Sequence, residues 1–346
     1  MNHLDPNLAA RTPRFSRGRR RLATVLAAAI VVLGPACSSD AEGAGSTTTS
    51  ESTTTTSTTT PGPVADQTRP QSAFGMVHDG AKLWIADFYG GQVLAVEPDS
   101  GAILVRYKGD DGVSDEIDDL AIGPDGSVYW TGFNDGAVGR MTPTNVVGLV
   151  AGLEPGINGI AFAPDGRLFV GRAVIGQGLW EIDPTQPEKP PRLISDTLGN
   201  INSFAVGPDG LIYGPRWGTD GAGELVRIDP DTAELEVLTN GFDGPIAVKL
   251  DATGTRAYVL SLPPGGAPTV TVVDLATMAV TPFATVPLTL ADNLAVGPDG
   301  RVFVTAFNEP ELAVISPDGS AKNIGIGKDP PPDGAEDEQP AADQPS

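Results

Sequence analysis

Thiols, imidazoles and positive charge are scarce in this chain. It has one cysteine, Cys37, and two histidines, His3 and His78, in 346 residues. A single thiol allows no intrachain disulfide, so a domain built from this chain must hold itself by packing. His3 lies in a basic leader, which leaves His78 alone. His78 stands in a tight turn, at the end of its hairpin away from the channel mouth, so no Ser-His-Asp or Cys-His arrangement and no histidine-based zinc or iron site is expected at that mouth. Lys and Arg number 22 against 44 Asp and Glu. Six of the arginines, with Asp5, fall in residues 1–36; from Cys37 onward 16 basic and 43 acidic residues remain, a net charge of −27. Such an acidic surface argues against a nucleic-acid partner. No apolar run is long enough to span a bilayer as a permanent helix; Leu22 to Leu33 fits a signal-peptide core.

The ends of the chain read as targeting and tether. Arg11, Arg14, Arg17, Arg19, Arg20 and Arg21 precede the apolar run, and Gly-Pro-Ala-Cys follows it. This start resembles a bacterial lipoprotein signal in which Cys37 is lipidated after export, although Gly34 stands where a large residue is usual. Plain secretory cleavage after Ala36 and an uncleaved anchor are the alternatives. The reading is a leader over 1–36, a Ser/Thr-rich solvated stalk over 37–65 and an acidic, Pro-rich disordered tail over 329–346. The protein is then expected outside the cell membrane, held to it only by lipid, as a monomer.

Between these ends one phrase recurs six times: an apolar alternating run, a tight turn, and a second alternating run. Its turn aspartates are Asp79, Asp125, Asp165, Asp209, Asp251 and Asp299, spaced 46, 40, 44, 42 and 48 residues apart. Each copy is a β-hairpin. A period in the forties, with further strands such as QVLAVEP and GELVRIDP after each hairpin, predicts an all-β, six-bladed propeller of four-stranded antiparallel blades over 66–328. Each blade should come from one repeat. Three and five residues before every turn the column is apolar. Between them it is small: Gly75, Ala121, Ala161, Ala205, Ala247 and Ala295. That is an inner strand with both faces covered.

Seven residues before each turn stand Ser72, Asp118, Asn158, Asn202, Gly244 and Asp292. They should surround one end of the central channel. Four are Asp or Asn, whose side-chain oxygens together suit a hard cation, Ca²⁺ above Mg²⁺. Asp and Asn as ordinary turn residues explain the column equally well.

The repeat, and LWIADFYGGQVLAVEPDSG (83–101) in particular, resembles the senescence-marker-protein/gluconolactonase family of six-bladed propellers. That family holds a divalent cation with Glu, Asn, Asn and Asp; one blade is skipped between the Glu and three consecutive ligands. Here Asp292 stands alone, Ser72 is skipped, and Asp118, Asn158 and Asn202 are consecutive. The resemblance therefore implies a metal site at Asp118, Asn158, Asn202 and Asp292. It also places the family's acid/base aspartate on Asn202, whose amide cannot take a proton from water. Asp118 or Asp292 must then act as base, or the site binds without reacting; Asp119 is a further acid beside them. A lyase reading is weakened because the similar streptogramin lyases use histidine and have seven blades.

Arg172 and Arg216, seven residues after their turns, should return to the same mouth. They would clamp an anionic substrate or pair with Asp118, Asp119 or Glu181. Phe88, Phe133, Trp217 and Phe307, one residue further on, would rim the mouth or cap blade edges. The reading is an envelope lipoprotein with a gluconolactonase-like propeller, a divalent-metal-dependent hydrolase of a lactone or small ester. The alternative is a non-catalytic metal- or ligand-binding module at the cell surface. Four ligands with an open side favour the enzyme; a channel plugged by side chains favours the binder.

Overall fold

The turns of the repeat show why Asp-Gly recurs in it. In the computed structural model, which describes residues 66–145, 147–217 and 222–328, Oδ1 of Asp125, Asp165, Asp209 and Asp299 accepts the backbone N–H two residues on, at 3.0–3.1 Å. The next residue, Gly126, Gly166, Gly210 or Gly300, has φ between 75° and 90°. Glycine adopts that left-handed conformation without penalty. The leader, the stalk to residue 65 and the tail from 329, with Cys37, lie outside the described residues.

The described strands form six four-stranded antiparallel sheets, each built from consecutive strands in chain order. The inner strands are Met76–His78, Ile117–Ile122, Ile157–Phe162, Ala205–Val206, Pro245–Leu250 and Ala291–Val296 for blades 1 to 6. Neighbouring inner strands touch in cyclic order, and blade 6 meets blade 1. The molecule is a six-bladed β-propeller with one repeat per blade. Closure needs no exchanged strand. Thr68 bridges Lys328 in parallel, and the Gln67 side chain bonds both backbone groups of Ile103. The two ends of the domain are thus held side by side at blade 1.

The core is divided into six clusters, each between two blades. Trp84 and Ala86 of blade 1 pack with Leu120 and Trp130 of blade 2; Leu83 and Ile85 face the other way, onto Phe303 and Leu312 of blade 6. No blade has a core of its own, so each sheet depends on both neighbours. Small residues in the inner strand set the approach. A Cβ on Gly75 would lie 2.3 Å from the Asp118 carbonyl oxygen.

One irregularity recurs where it matters. Ile117 opposes Gly132 but Leu120 opposes Trp130, so three steps on the inner strand match two on its partner. The same extra residue occurs between Ile157 and Ile160, Pro245 and Ala247, and Ala291 and Leu294. In blade 4, four steps from Ile201 to Ala205 match three from Arg216 to Tyr213. These are β-bulges at the entry to the inner strands, and bulges re-aim side chains.

Candidate functional site

The bulges place two successive polar residues on the channel in blades 2, 4 and 6: Asp118 and Asp119, Asn202 and Ser203, Asp292 and Asn293. Strict two-residue alternation would have sent one of each pair away. The sequence reading named the first of each pair and, from the second layer, only Asp119.

The second layer closes the channel. Ser203 Oγ lies 2.8 Å from Asp119 Oδ2 and 3.1 Å from Asn293 Oδ1. Asn293 Nδ2 donates to Asp119 Oδ1 at 3.0 Å. Lys249 Nζ of blade 5 donates to Ser203 Oγ at 2.8 Å and lies 3.7 Å from Asp119 Oδ2. All three even-blade residues are buried. The remaining blades supply Ala73, Gly159 and Pro245 at this level, so polar and non-polar positions alternate around the axis. Beyond the plug, toward the turns, a cavity of about 300 Å³ runs between the inner strands, with His78, Lys249 and Asp251 among its lining. The two buried threonines Thr131 and Thr305 tie the level to the next blades: their hydroxyls donate to the carbonyls of Asn158 and Phe74, both at 2.6 Å.

Above the plug lies the layer the sequence singled out. Asp118 and Asn158 are buried, and Asp292 and Asn202 partly so. Burial pushes the Asp118 carboxyl well above the usual carboxylate range, and the charges of Asp292 and Asp119 push it further. Burial and the Asp119 charge raise Asp292 to about 7, against a lowering by Lys249. Like charges in a desolvated site cannot all ionise without a compensating cation. Asn202 Oδ1 is buried without a hydrogen-bond partner, an acceptor left for something outside the chain. Two carboxylates and two amides suit a hard cation, so this oxygen set fits the implied divalent metal. Among the described residues, no group of three or more Asp, Glu, His and Cys could hold a metal ion by itself. The amides would have to contribute.

Ser72, the position skipped in the pattern, is sealed into blade 1. Its hydroxyl donates to Asp87 Oδ1 at 2.8 Å and accepts the Tyr89 N–H at 3.1 Å. Gly244 has a φ of 66° and accepts the Leu262 N–H at 2.8 Å.

Both arginines return to the mouth end of their blades, where carboxylates engage them. Arg172 pairs with Glu154 at 2.7 Å, and its Nε donates to the Pro155 carbonyl at 2.8 Å. Arg216 pairs with Glu224 at 2.6 Å. These are not the partners named from sequence, Asp118, Asp119 and Glu181; an anionic substrate would have to share the guanidinium groups with Glu154 and Glu224. The aromatic positions divide. Phe88 stacks on Phe74 at 4.5 Å and meets Phe133 at 6.1 Å, while Phe307 lies 6.0 Å from Phe74. These rings form one cluster across blades 6, 1 and 2. Trp217 stands apart on blade 4, exposed, with its indole N–H 3.3 Å from the Pro245 carbonyl.

No family model and no curated protein matches this chain. Solved structures match it in fold. A gluconolactonase from Xanthomonas campestris is 15% identical over 77% of this chain and 89% of that one, with a TM-score of 0.53. Virginiamycin B lyase from Staphylococcus aureus is 14% identical over 74% and 85%, with a TM-score of 0.53. A nidogen/laminin complex is 14% identical over 73% and 92%, with a TM-score of 0.55. At such identities the likeness establishes the propeller, an architecture that these three structures share under quite different descriptions.

Proposed function

We propose that the protein is a divalent-metal-dependent hydrolase of a lactone or small ester, of the gluconolactonase type. The observation that carries this is the pair Asp118 and Asp292, two carboxylates whose burial and neighbouring charges favour the protonated state, on the strand level that also carries the unpartnered Asn202 oxygen. Asp118, Asn158, Asn202 and Asp292 would hold the metal, Ca²⁺ by the hardness of the donors. When bound, such a cation neutralises the carboxylates and polarises a carbonyl oxygen. Asp292, raised to about 7 only while no cation offsets the charges around it, or Asp118 would be the general base. Asp118 shares that site, and Asn202 accepts from or orients the substrate but moves no proton. Elemental analysis of the purified domain followed by a lactone and ester panel tests the reading. It expects a co-purifying divalent metal and a chelator-sensitive rate. A metal-free protein whose stability and activity ignore added calcium would remove it.

The filled channel favours a second reading, a non-catalytic ligand-binding module at the cell surface. Asp119, Ser203, Asn293 and Lys249 satisfy one another and leave no through passage, as a purely structural axis would. An active lactone panel would exclude it.

The proposed setting is the outer face of the cell membrane, with Cys37 as lipid attachment. The support is compositional: one cysteine, placed at the end of an apolar run that follows six arginines. Replacing Cys37 with Ser should release the chain or leave it unprocessed, and unchanged membrane association after cleavage would refute the anchor.

A further inference from the structure

Between blades 3, 4 and 5, on the same end of the propeller as Asn202, lies a cavity of about 170 Å³ walled by Ala173, Val174, Pro215, Trp217, Pro245 and Ile246. Asn200 stands at its exposed edge and Asn202 within it. A dry apolar cavity of about 150 Å³ admits one benzene molecule, so this one has room for a single six-carbon ring or chain of similar bulk.

Two features mark it as built for a ligand. Val174 has a φ of 67° and closes a three-residue turn in which the Ile175 N–H donates to the Ala173 carbonyl at 2.8 Å. That γ-turn is rare and strained, more so on a β-branched residue. Local strain of this kind persists where the surroundings over-determine it, often at ligand clamps. The surroundings here are Arg172, whose Nε binds Pro155 and whose Nη1 binds Glu154; a Cβ on Gly176 would sit 2.6 Å from its guanidinium. Val174 and Trp217 are 70% and 62% exposed, two large apolar side chains in water on the wall of one cavity. The second feature is polar. Asn202 lines this apolar pocket, and its Oδ1 has no hydrogen-bond partner, an acceptor open to an N–H or O–H of a ligand when no metal holds it.

We infer that this pocket binds one benzene-sized apolar group, so that the substrate is a hydrophobic lactone or ester, not a polyhydroxylated sugar lactone. The substrate class rests on the hydrolase reading; the binding of the apolar group does not. A sugar ring would leave several hydroxyls unpaired against Ala173, Val174, Pro215 and Ile246, and each polar group desolvated without a partner weakens binding by its full desolvation cost. An aryl or short alkyl substituent fills the same volume and lies against the Trp217 indole.

The test uses benzyl alcohol, which joins a phenyl ring to one O–H donor, as a binding probe followed by saturation-transfer NMR. Asn200→Phe fills the pocket from its exposed edge, Trp217→Ala removes a wall, and Val174→Gly releases the turn. Wild-type protein should bind the probe with or without chelator. Asn200→Phe should weaken binding at least tenfold, and Trp217→Ala should weaken it too. Val174→Gly should raise the melting temperature yet weaken the probe. Phenyl-substituted γ-butyrolactone should be hydrolysed faster than glucono-δ-lactone, and the preference should collapse in Asn200→Phe. If the probe binds and Asn200→Phe abolishes it while no lactone is cleaved, the pocket stands and the hydrolase reading falls. If glucono-δ-lactone is the better substrate, or if neither Asn200→Phe nor Trp217→Ala alters probe binding in folded protein, the pocket assignment is overturned.

Discussion

The Ser203 hydroxyl lies 2.8 Å from Asp119 Oδ2, although 84 residues separate them. The contact crosses the channel between blades 2 and 4, and Lys249 reaches in from blade 5 to the same hydroxyl. Asp119 is fully buried, while the Lys249 side chain keeps 17% of its exposure. A buried ion held by one cation is most sensitive to losing that partner. Lys249→Met should therefore lower stability by about 3 kcal/mol, read as a shifted urea midpoint at pH 7. Asp119→Asn in the same chain should recover part of the loss, because it removes the uncompensated charge. A midpoint unchanged in Lys249→Met would mean that the plug is held by hydrogen bonds alone.

The fold was legible in the sequence because its determinants are local. Every hairpin carries its own turn chemistry, and the apolar and small columns sit at fixed distances from the turn Asp. The plug was not legible. A bulge adds one residue to the strand without any signal in alternating hydrophobicity, and only the paired registers reveal it. Ser203 and Asn293 therefore carry no signal in the sequence and Asp119 reads only as a further acid beside Asp118, though the three form the floor of the first polar layer. Lys249, two residues before its turn, gave no sign that it would reach across a channel. Arg172 and Arg216 were expected at the mouth and reach it; Glu224 stands directly opposite Arg216 on the next strand of its hairpin, a pairing that the hairpin register fixes, whereas Glu154 comes to Arg172 from a loop 18 residues earlier. The Val174 γ-turn was invisible because β-branched residues are the ones least expected there.

Gly75 links packing to the candidate site. Its N–H donates to the Asp118 carbonyl at 2.8 Å, and an added Cβ would lie 2.3 Å from that oxygen and 2.4 Å from Asp119 Cα. Both contacts are backbone, so a rotamer change cannot relieve them. Gly75→Ala should destabilise the propeller by about 1–3 kcal/mol and displace Asp118. Denaturation and the calcium response should change together. Wild-type stability in Gly75→Ala would show that blades 1 and 2 can separate at their inner strands.

Acid and base should both weaken the metal-free protein, for different groups. Asp118 and Asp292 have carboxyls raised in the folded state, Asp292 to about 7. A raised carboxyl favours folding below its unfolded value, near 4, and that advantage is lost as pH climbs through the folded value. The turn carboxylates move the other way: hydrogen bonds and cations lower Asp125, Asp165 and Asp299 despite partial desolvation, and Asp79 falls to about 2. Their contribution is present above about pH 4 and fades as pH drops toward 2. Chelated protein should thus be most stable near pH 4, with a decline as pH climbs from there through about 7 that calcium abolishes. Asp292→Asn should flatten the alkaline limb without calcium. A melting temperature that rises steadily from pH 5 to 8 in chelator would contradict the buried pair.

Calcium itself gives the sharpest test of the oxygen layer. A ligand that binds only the folded state adds about 2.7 kcal/mol at a hundredfold excess over its dissociation constant, so millimolar calcium should raise the melting temperature by several degrees and a chelator should reverse it. Asn158→Ala should remove most of that response while leaving the blade intact. The side chain packs no cluster of the core, and its backbone carbonyl still accepts from Thr131. Asn202→Asp acts in the opposite sense. It puts a third carboxylate into a layer where burial already suppresses ionisation at Asp118 and Asp292, so the metal-free variant should be less stable than wild type at pH 8 and its calcium response larger. It also restores an acid at the position where the resembling family has its acid/base, which predicts a rise in lactone turnover if the hydrolase reading holds. The same variant losing calcium response, with Asn158→Ala keeping it, would mean that the two amides do not face a common ion.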